Sequence, residues 1–377
     1  MQLLSKGISK NINEPIIGRI TRQLNSIDQD SILITDSINQ PLEQFKGLAI
    51  LSTQSSEDTD TITPTIYNTA SLNYLEDGDI VSINKDGRIN TQYRISSYHN
   101  TLLATERCNS NCLMCSQPPK NRDDTDHLHN LNLKVVDLIP KDCIELGISG
   151  GEPTLQGENF FYLIEHITQS LPNTEIHLLT NGRTFAWEGM AHKLAKIGNE
   201  RLMLGIPLYS SFYKQHDYVV QAKDAFYQTI LGLHNLAKYD QRIEIRIVLH
   251  KESIPGLINL ASYIYKNLPF VEHVAFMGLE HIGYTKFNFE KLWIDPADYL
   301  NELSESIHFL DSHSIPVSIY NSQLCVLPKS LWKFARKSIS DWKNDYLNEC
   351  DNCSQKTNCG GFFRWNKDCA SRLIKAM

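Results

Sequence analysis

Apolar positions along this chain recur with two different periods, and the change from one to the other divides it. Over the first hundred residues no long helical period is present. Short β-type runs stand out instead, Gly47-Leu-Ala-Ile-Leu-Ser52 and Gly78-Asp-Ile-Val-Ser-Ile-Asn84. Lys85-Asp86-Gly87-Arg88 lies between two strand-like runs and predicts a hairpin turn. The Ser/Asp/Thr-rich stretch Thr53–Thr61 predicts a mobile loop. Residues 1–98 are therefore expected to form a small β-rich domain. It is either a module that docks a peptide or partner or a structural cover, and nothing in its residues chooses between the two.

From Tyr98 to about Asp311 the pattern alternates. Apolar runs at Leu102–Thr105, Ile144–Ile148, Ile176–Thr180, Leu202–Ile206, Ile243–Val248 and Val274–Met277 predict six strands. Helical periodicities separate them, for example Phe160–Ile167, Met190–Ile197 and Phe226–Leu236. Repeated β-then-α units demand a parallel sheet with right-handed crossovers, so the class is α/β and the second domain is placed at residues 99–311. The remainder, 312–377, is short and rich in cysteine.

Composition narrows the setting. A chain of 377 residues is too long for one small core. The N-terminal Met-Gln-Leu-Leu-Ser-Lys lacks an apolar run of export-signal length, and no apolar stretch approaches a membrane span. A cytoplasmic protein without membrane contact is the expectation. Its nine cysteines then point to metal rather than to a disulfide framework. Acidic residues outnumber basic ones, 43 against 36, for a net charge of −7, which argues against a nucleic-acid partner.

The cysteines carry the chemistry. Cys108-Asn-Ser-Asn-Cys112-Leu-Met-Cys115 is a C-x3-C-x2-C loop that brings three thiolates, not four, to one point. An iron–sulfur cube held by three protein ligands keeps one iron open for chemistry. Structural zinc, the alternative, usually takes two cysteine pairs. Next comes Ile148-Ser-Gly150-Gly151-Glu152-Pro-Thr154, directly after an apolar run. Two glycines let backbone approach a ligand closely, and Glu152 offers a carboxylate to an ammonium.

Together these motifs resemble the radical S-adenosylmethionine (SAM) superfamily, over roughly residues 99–311. The resemblance implies a partial (β/α)6 barrel, with ligand groups at the C-terminal ends of its strands. It implies a [4Fe-4S] cluster on Cys108, Cys112 and Cys115 whose open iron chelates SAM, and reductive cleavage of SAM to a 5′-deoxyadenosyl radical. Gly150, Gly151 and Glu152 correspond to the motif that holds SAM's amino group, Met114 to a position packing near adenine, and Asn181 to a strand end lining the SAM pocket. Tyr209 and Ser210, after the fourth strand, have hydroxyls suited to the ribose, and Arg246 a guanidinium suited to SAM's carboxylate. Glu280 and His281 follow the sixth strand, where the radical chamber is expected.

The last third holds Cys325, then Cys350-x2-Cys353-x5-Cys359, then Cys369. This resembles the SPASM-type extension of radical SAM peptide-modifying enzymes, except that Phe363 stands where a fourth cysteine belongs. One auxiliary [4Fe-4S] cluster is the expectation, on Cys350, Cys353 and Cys359, with Cys325 completing the set and Cys369 competing for that place. Zinc is the alternative metal here as well. Cys143 falls in an expected buried strand, as a small core residue. The wording of the cysteine loop and of Ser338-Ile-Ser-Asp-Trp-Lys343 resembles the His-Xaa-Ser system radical SAM maturase of the HxsC type. That implies modification of a ribosomally made precursor peptide, a companion maturase from the same system, and an electron donor such as flavodoxin or ferredoxin. The competing readings are a radical SAM enzyme acting on a small molecule or tRNA, and a non-catalytic iron–sulfur or zinc scaffold.

Overall fold

The structure is a computed structural model describing residues 3–36, 44–55, 62–338 and 344–377. The expected loop from residue 56 to 61 and the stretch 339–343 lie outside the described residues.

The N-terminal region is an eight-stranded sheet. Its strands are β1 (Leu4–Lys6), β2 (Ile8–Lys10), β3 (Ile16–Thr21), β4 (Ser31–Ile34), β5 (Ala49–Leu51), β6 (Thr65–Tyr67), β7 (Ile80–Ile83) and β8 (Arg88–Tyr93). Their spatial order is β1-β8-β7-β3-β4-β5-β6-β2. Only Gly7 separates β1 from β2, so the two ends of the sheet meet in one segment and the sheet closes on itself. Ile20, Ile32, Leu51, Ile66, Val81 and Ile89 fill its interior. The expected hairpin joins β7 to β8. Gly87 takes φ +80° there, and a Cβ would stand 2.0 Å from the Gly7 carbonyl oxygen, so glycine is required twice over.

The second sheet is parallel throughout, with strands in chain order: β9 (Asn100–Leu103), β10 (Glu145–Ser149), β11 (Glu175–Leu179), β12 (Leu202–Pro207), β13 (Arg242–Leu249), β14 (His273–Gly278) and β15 (Val317–Tyr320). Helices α1 (Thr125–Leu138), α2 (Glu158–Ser170), α3 (Glu188–Ala195), α4 (Tyr213–Val220), α5 (Ala225–Lys238) and α6 (Leu257–Asn267) lie between the strands. The short turns α7 (Tyr284–Phe287) and α8 (Phe289–Leu292) and helix α9 (Leu300–Ser312) follow β14. Alternation along the strands decides which side is dry. Leu146, Ile148, Ile176, Leu178, Ile243 and Ile245 pack with Val135, Ile164, Leu233, Leu260 and Leu303 from the helices.

Two differences from the sequence expectation have clear causes. The sheet continues one strand further than the six expected, because β15 lies beyond residue 311 and pairs with β14. Strand β9 starts earlier and ends before Thr105, because Thr105 turns out of the ladder to donate its hydroxyl to Asp124 at 2.6 Å. Helix α1 escapes a simple periodicity because its inner face includes Asn132, whose amide donates to the Leu103 carbonyl at 2.9 Å. Cys143 is buried as expected, although it precedes β10 rather than lying within it. All nine cysteines are free. Among the described residues, no helix is long and apolar enough to cross a membrane.

Candidate metal and cofactor site

The cysteine loop leaves the C-terminal end of β9 and is fastened on several sides. Asp124 accepts from the Glu106 main-chain N–H at 2.6 Å, and Glu106 pairs with Lys120 at 2.6 Å and with Arg122. The end of α4 supplies two carbonyls: Asn111 N donates to Val220 at 3.0 Å and Leu113 N to Val219 at 2.9 Å. Arg183 donates to the Ser110 hydroxyl at 2.9 Å and to the Asn109 carbonyl. So held, Cys108, Cys112, Cys115 and Met114 border a cavity of about 310 Å³ at the C-terminal ends of the strands. Gly150, Gly151, Thr180, Asn181, Tyr209 and Arg246 border the same cavity.

The thiols have a common electrostatic character. Burial pushes Cys108 up to about 11 and Cys112 up to about 12, and it raises Cys115 in the same direction. Three neighbouring, partly buried thiolates repel one another and are best accommodated with positive charge among them, which iron supplies. The donor set therefore suits an iron–sulfur cluster. Among the described residues no three His, Cys, Asp or Glu side chains converge as ligands of a single ion would; Cys108, Cys112 and Cys115 instead border one shared space, as the corners of a cluster do.

The glycine pair earns its place by contact with that loop. Gly151 N donates to Thr105 O at 2.7 Å, and a Cβ on Gly151 would stand 2.1 Å from Arg107 O and 3.1 Å from Cys108 Cβ. Any side chain there displaces the cysteine loop. Glu152 sits differently from its sequence expectation. Its residue is fully buried and does not border the cavity. Oε1 accepts from Thr154 N at 3.1 Å, Thr154 Oγ1 at 2.6 Å and Thr180 Oγ1 at 2.7 Å, while Oε2 accepts from Asn181 N at 2.7 Å. Burial raises its carboxyl above the ordinary value, with these hydrogen bonds opposing it. Its visible task is to tie the turn after β10 to the end of β11. Glu152→Gln turns a donor toward one of these donors, so a loss of about 1–3 kcal/mol in urea unfolding is expected; unchanged stability would show that the four bonds are dispensable.

The other candidates separate. The Asn181 amide donates to Asn109 Oδ1 at 2.6 Å. Ser210 does not border the cavity; its hydroxyl accepts from Phe212 N at 3.0 Å, a local turn that withdraws it from the ribose role expected for it. Arg246 borders the cavity, with Nη1 3.5 Å from Glu244 Oε1 and Nη2 3.0 Å from Met277 Sδ. Glu244 is further engaged by His273 Nδ1 at 2.7 Å and His177 Nε2 at 3.3 Å. Burial acts to raise its carboxyl, and hydrogen bonds from His177 and His273 with the Arg246 charge outweigh burial and hold it well below the carboxylate range. Glu244, Asn109 and Arg183 do not stand out in the sequence, although two-residue spacing already places Glu244 and Arg246 on one strand face. Glu280 borders the cavity, whereas the His281 ring packs edge-on to Phe289 at 5.2 Å.

Behind Tyr209 stand two buried imidazoles. The His216 and His250 ring centroids each lie 5.9 Å from the Tyr209 centroid, and His216 Nδ1 accepts from Tyr209 N at 3.3 Å. Burial brings both histidines down to about 3. The folded state thus keeps them neutral while the unfolded chain takes up protons below the ordinary value of 6.5. Stability drains as pH falls from there toward about 3, by about 2 kcal/mol per histidine at pH 5. Urea midpoints should drop between pH 7 and pH 5, and His216→Gln, which keeps an acceptor, should remove about half of the drop. A slope identical in that variant would contradict the assignment.

The C-terminal cysteines form a second group. Cys325, Cys350, Cys353 and Cys359 border one small cavity of about 20 Å³, with Leu324 N directed at Cys359 Sγ at 3.5 Å. Burial, then the adjacent Cys359 and Cys350 thiols, raises Cys325. Cys369 borders a different cavity together with Ser371, so of the two candidates for fourth place it is Cys325 that accompanies the other three. Phe363, in the position of the expected cysteine, faces yet another cavity.

Comparison with known proteins covers the central region of this architecture. Residues 102–263 match the Radical SAM superfamily. The GTP 3′,8-cyclase of Pasteurella multocida (strain Pm70) is 27% identical over 160 residues, 41% of this chain and 46% of that protein. The uncharacterized protein MJ0907 of Methanocaldococcus jannaschii is 25% identical over 171 residues, 44% of this chain and 58% of its own length. The chain thus spans about half the length of the curated relatives it matches. Among solved structures, Streptococcus suis SuiB bound to precursor peptide SuiA is similar with TM-score 0.45 and 17% identity over 59% of this chain and 48% of that one. Native anSMEcpe with bound AdoMet is similar with TM-score 0.41 and 21% identity over 58% and 62%. With its cysteine loop and glycine turn at the ends of a parallel sheet, the chain is similar to the Radical SAM superfamily across residues 102–263.

Proposed function

We propose that this chain is a radical SAM maturase that modifies a ribosomally made precursor peptide, of the His-Xaa-Ser type, in the cytoplasm. The observation that carries the reading is the convergence of the cysteine loop, the Gly150-Gly151 turn, Asn181 and Arg246 on one cavity at the strand ends. In this reading Cys108, Cys112 and Cys115 hold a [4Fe-4S] cluster, Met114, Asn181 and Arg246 contact SAM, and Glu152 braces the wall. Cys325, Cys350, Cys353 and Cys359 hold an auxiliary cluster in the segment 312–377, which follows the catalytic domain of residues 99–311 and the β-rich domain of residues 1–98. When bound, cluster and SAM supply an adenosyl radical able to take hydrogen from an unactivated C–H. The protein's share is positioning and exclusion of water, for which Leu179, Val248, Met277 and Leu279 give the cavity an apolar flank. A companion maturase and a flavodoxin- or ferredoxin-like donor complete the system.

The test uses reconstituted protein, SAM, a reductant and a peptide with repeated His-x-Ser encoded beside this gene. The expected result is 5′-deoxyadenosine together with a peptide lighter by a pair of hydrogens, as an oxidative crosslink requires. 5′-Deoxyadenosine with an unaltered peptide would remove the peptide reading and favour a small-molecule or tRNA substrate.

A further inference from the structure

Arg246 differs from the other groups bordering the strand-end cavity in that its guanidinium is steered without being satisfied. Nη2 donates to the Met277 thioether at 3.0 Å, and sulfur is a weak acceptor. Nη1 is buried 3.5 Å from Glu244 Oε1 and completes no hydrogen bond among the described residues. Glu244 is the one carboxylate within ion-pair distance of Arg246 among those residues. A guanidinium with this much donor capacity left is set to receive an anion from the cavity side.

Glu244 is itself out of reach of that anion. It is buried, does not border the cavity, and lies two residues before Arg246 on the same face of β13. Four other strands supply its surroundings. His273, paired with it on β14, donates Nδ1–H to Oε2 at 2.7 Å, and His273 Nε2 lies 3.0 Å from Ser318 Oγ on β15. His177, on β11, places Nε2 3.3 Å from Oε1. The β12 residue paired with Glu244 is Gly205, where a Cβ would stand 2.9 Å from Arg246 Cδ and 3.0 Å from His177 Nε2. The missing side chain leaves the space in which the imidazole and the guanidinium approach one carboxylate. The short contact of that carboxylate goes to His273 and the long one to Arg246, so three partners share a single charge.

Stability alone gives little reason for such a layer. Desolvating a buried ion pair commonly offsets what the pair gains, and well-packed apolar residues would support the sheet at least as well. A carboxylate supplies what a leucine cannot, a fixed point that draws the guanidinium to one place and leaves its other N–H groups open.

We propose that Glu244 is a positioning residue for SAM: braced by His273 and His177, it holds the Arg246 guanidinium at the cavity wall where it meets SAM's carboxylate. The inference rests on the reading of Arg246 as a SAM contact and adds the residue that sets it there.

The test compares SAM with decarboxylated SAM by calorimetry on the reconstituted full chain, with melting temperature and iron content as controls. Wild type should prefer SAM by about tenfold or more, as a charge-assisted contact implies. Glu244→Gln, which keeps the size of the side chain, should lower that preference by about fivefold while decarboxylated SAM binds within about twofold of wild type. Adding Glu244→Gln to Arg246→Gln should change the preference no further, because the carboxylate acts through the guanidinium. If Glu244→Gln fails to fold, His273→Leu takes its place under the same criteria, since it removes the brace on Oε2 and alters no residue bordering the cavity. Equal weakening of both ligands marks a purely structural role and overturns the proposal. So does an unchanged preference, or one that rises because Glu244 competes with the ligand for Arg246. A wild type that binds both ligands equally also overturns it and leaves the radical SAM reading standing; if wild type binds neither, that reading falls as well.

Discussion

Replacing Cys108, Cys112 and Cys115 together by Ala should cut the iron of anaerobically reconstituted protein from about eight to about four per chain and reduce 5′-deoxyadenosine formation to background. The expectation follows from the separation of the two cysteine groups, which border different cavities. Four-iron clusters assembled on independent ligand sets are lost independently. The fold should survive, because the loop is anchored by Asp124, Arg183 and the end of α4 rather than by its thiols. Iron determination, the visible absorption of the reduced and oxidised protein, and SAM turnover measure the outcome. A triple variant that keeps its full iron, or zinc found in the C-terminal set, would defeat the two-cluster reading.

Cys353→Ala should have an equally large effect on a different observable. If the C-terminal cluster takes an electron from the substrate radical, the variant continues to cleave SAM yet yields no modified peptide. Cleavage depends on the ligands at the strand ends, whereas Cys353 borders the other cavity with Cys325, Cys350 and Cys359. A cluster that only props the fold predicts something else: Tyr346, whose hydroxyl donates to Cys359 O at 2.9 Å, and the Asp345–Phe362 bridge would loosen. Melting temperature and peptide binding would then fall together. Quantifying 5′-deoxyadenosine, peptide product and thermal stability on this single variant separates the two roles. Undiminished product from a stable variant would eliminate both.

Much of the chain was legible without coordinates, for reasons of periodicity and spacing. Two-residue alternation at Ile176–Leu179 and Ile243–Val248 marks strands regardless of what packs on them, and the same spacing puts Glu244 and Arg246 on one face. The Cys108–Cys115 spacing and the Gly150-Gly151 pair are local devices, since three thiols within eight residues and a glycine whose Cβ would stand 2.1 Å from the Arg107 carbonyl oxygen are written in consecutive positions. Closure of the N-terminal sheet was not legible, because β1 finds β8 and β2 finds β6 across long separations that no window spans. Nor were the tasks of Glu152 and Ser210: a carboxylate or hydroxyl has the same propensity whether it meets a ligand or a neighbouring N–H, and only the folded positions of Thr180, Asn181 and Phe212 decide. Likewise, that Cys325 rather than Cys369 borders the cavity shared by Cys350, Cys353 and Cys359 depends on where two distant segments come to rest. The sequence by itself thus determined six strands of the parallel sheet and the spacing of the cysteine loop, because these depend on near neighbours. Tertiary structure alone decided which polar groups face a cavity and which are consumed in its walls, because burial and hydrogen-bond pairing are properties of what the whole chain brings together.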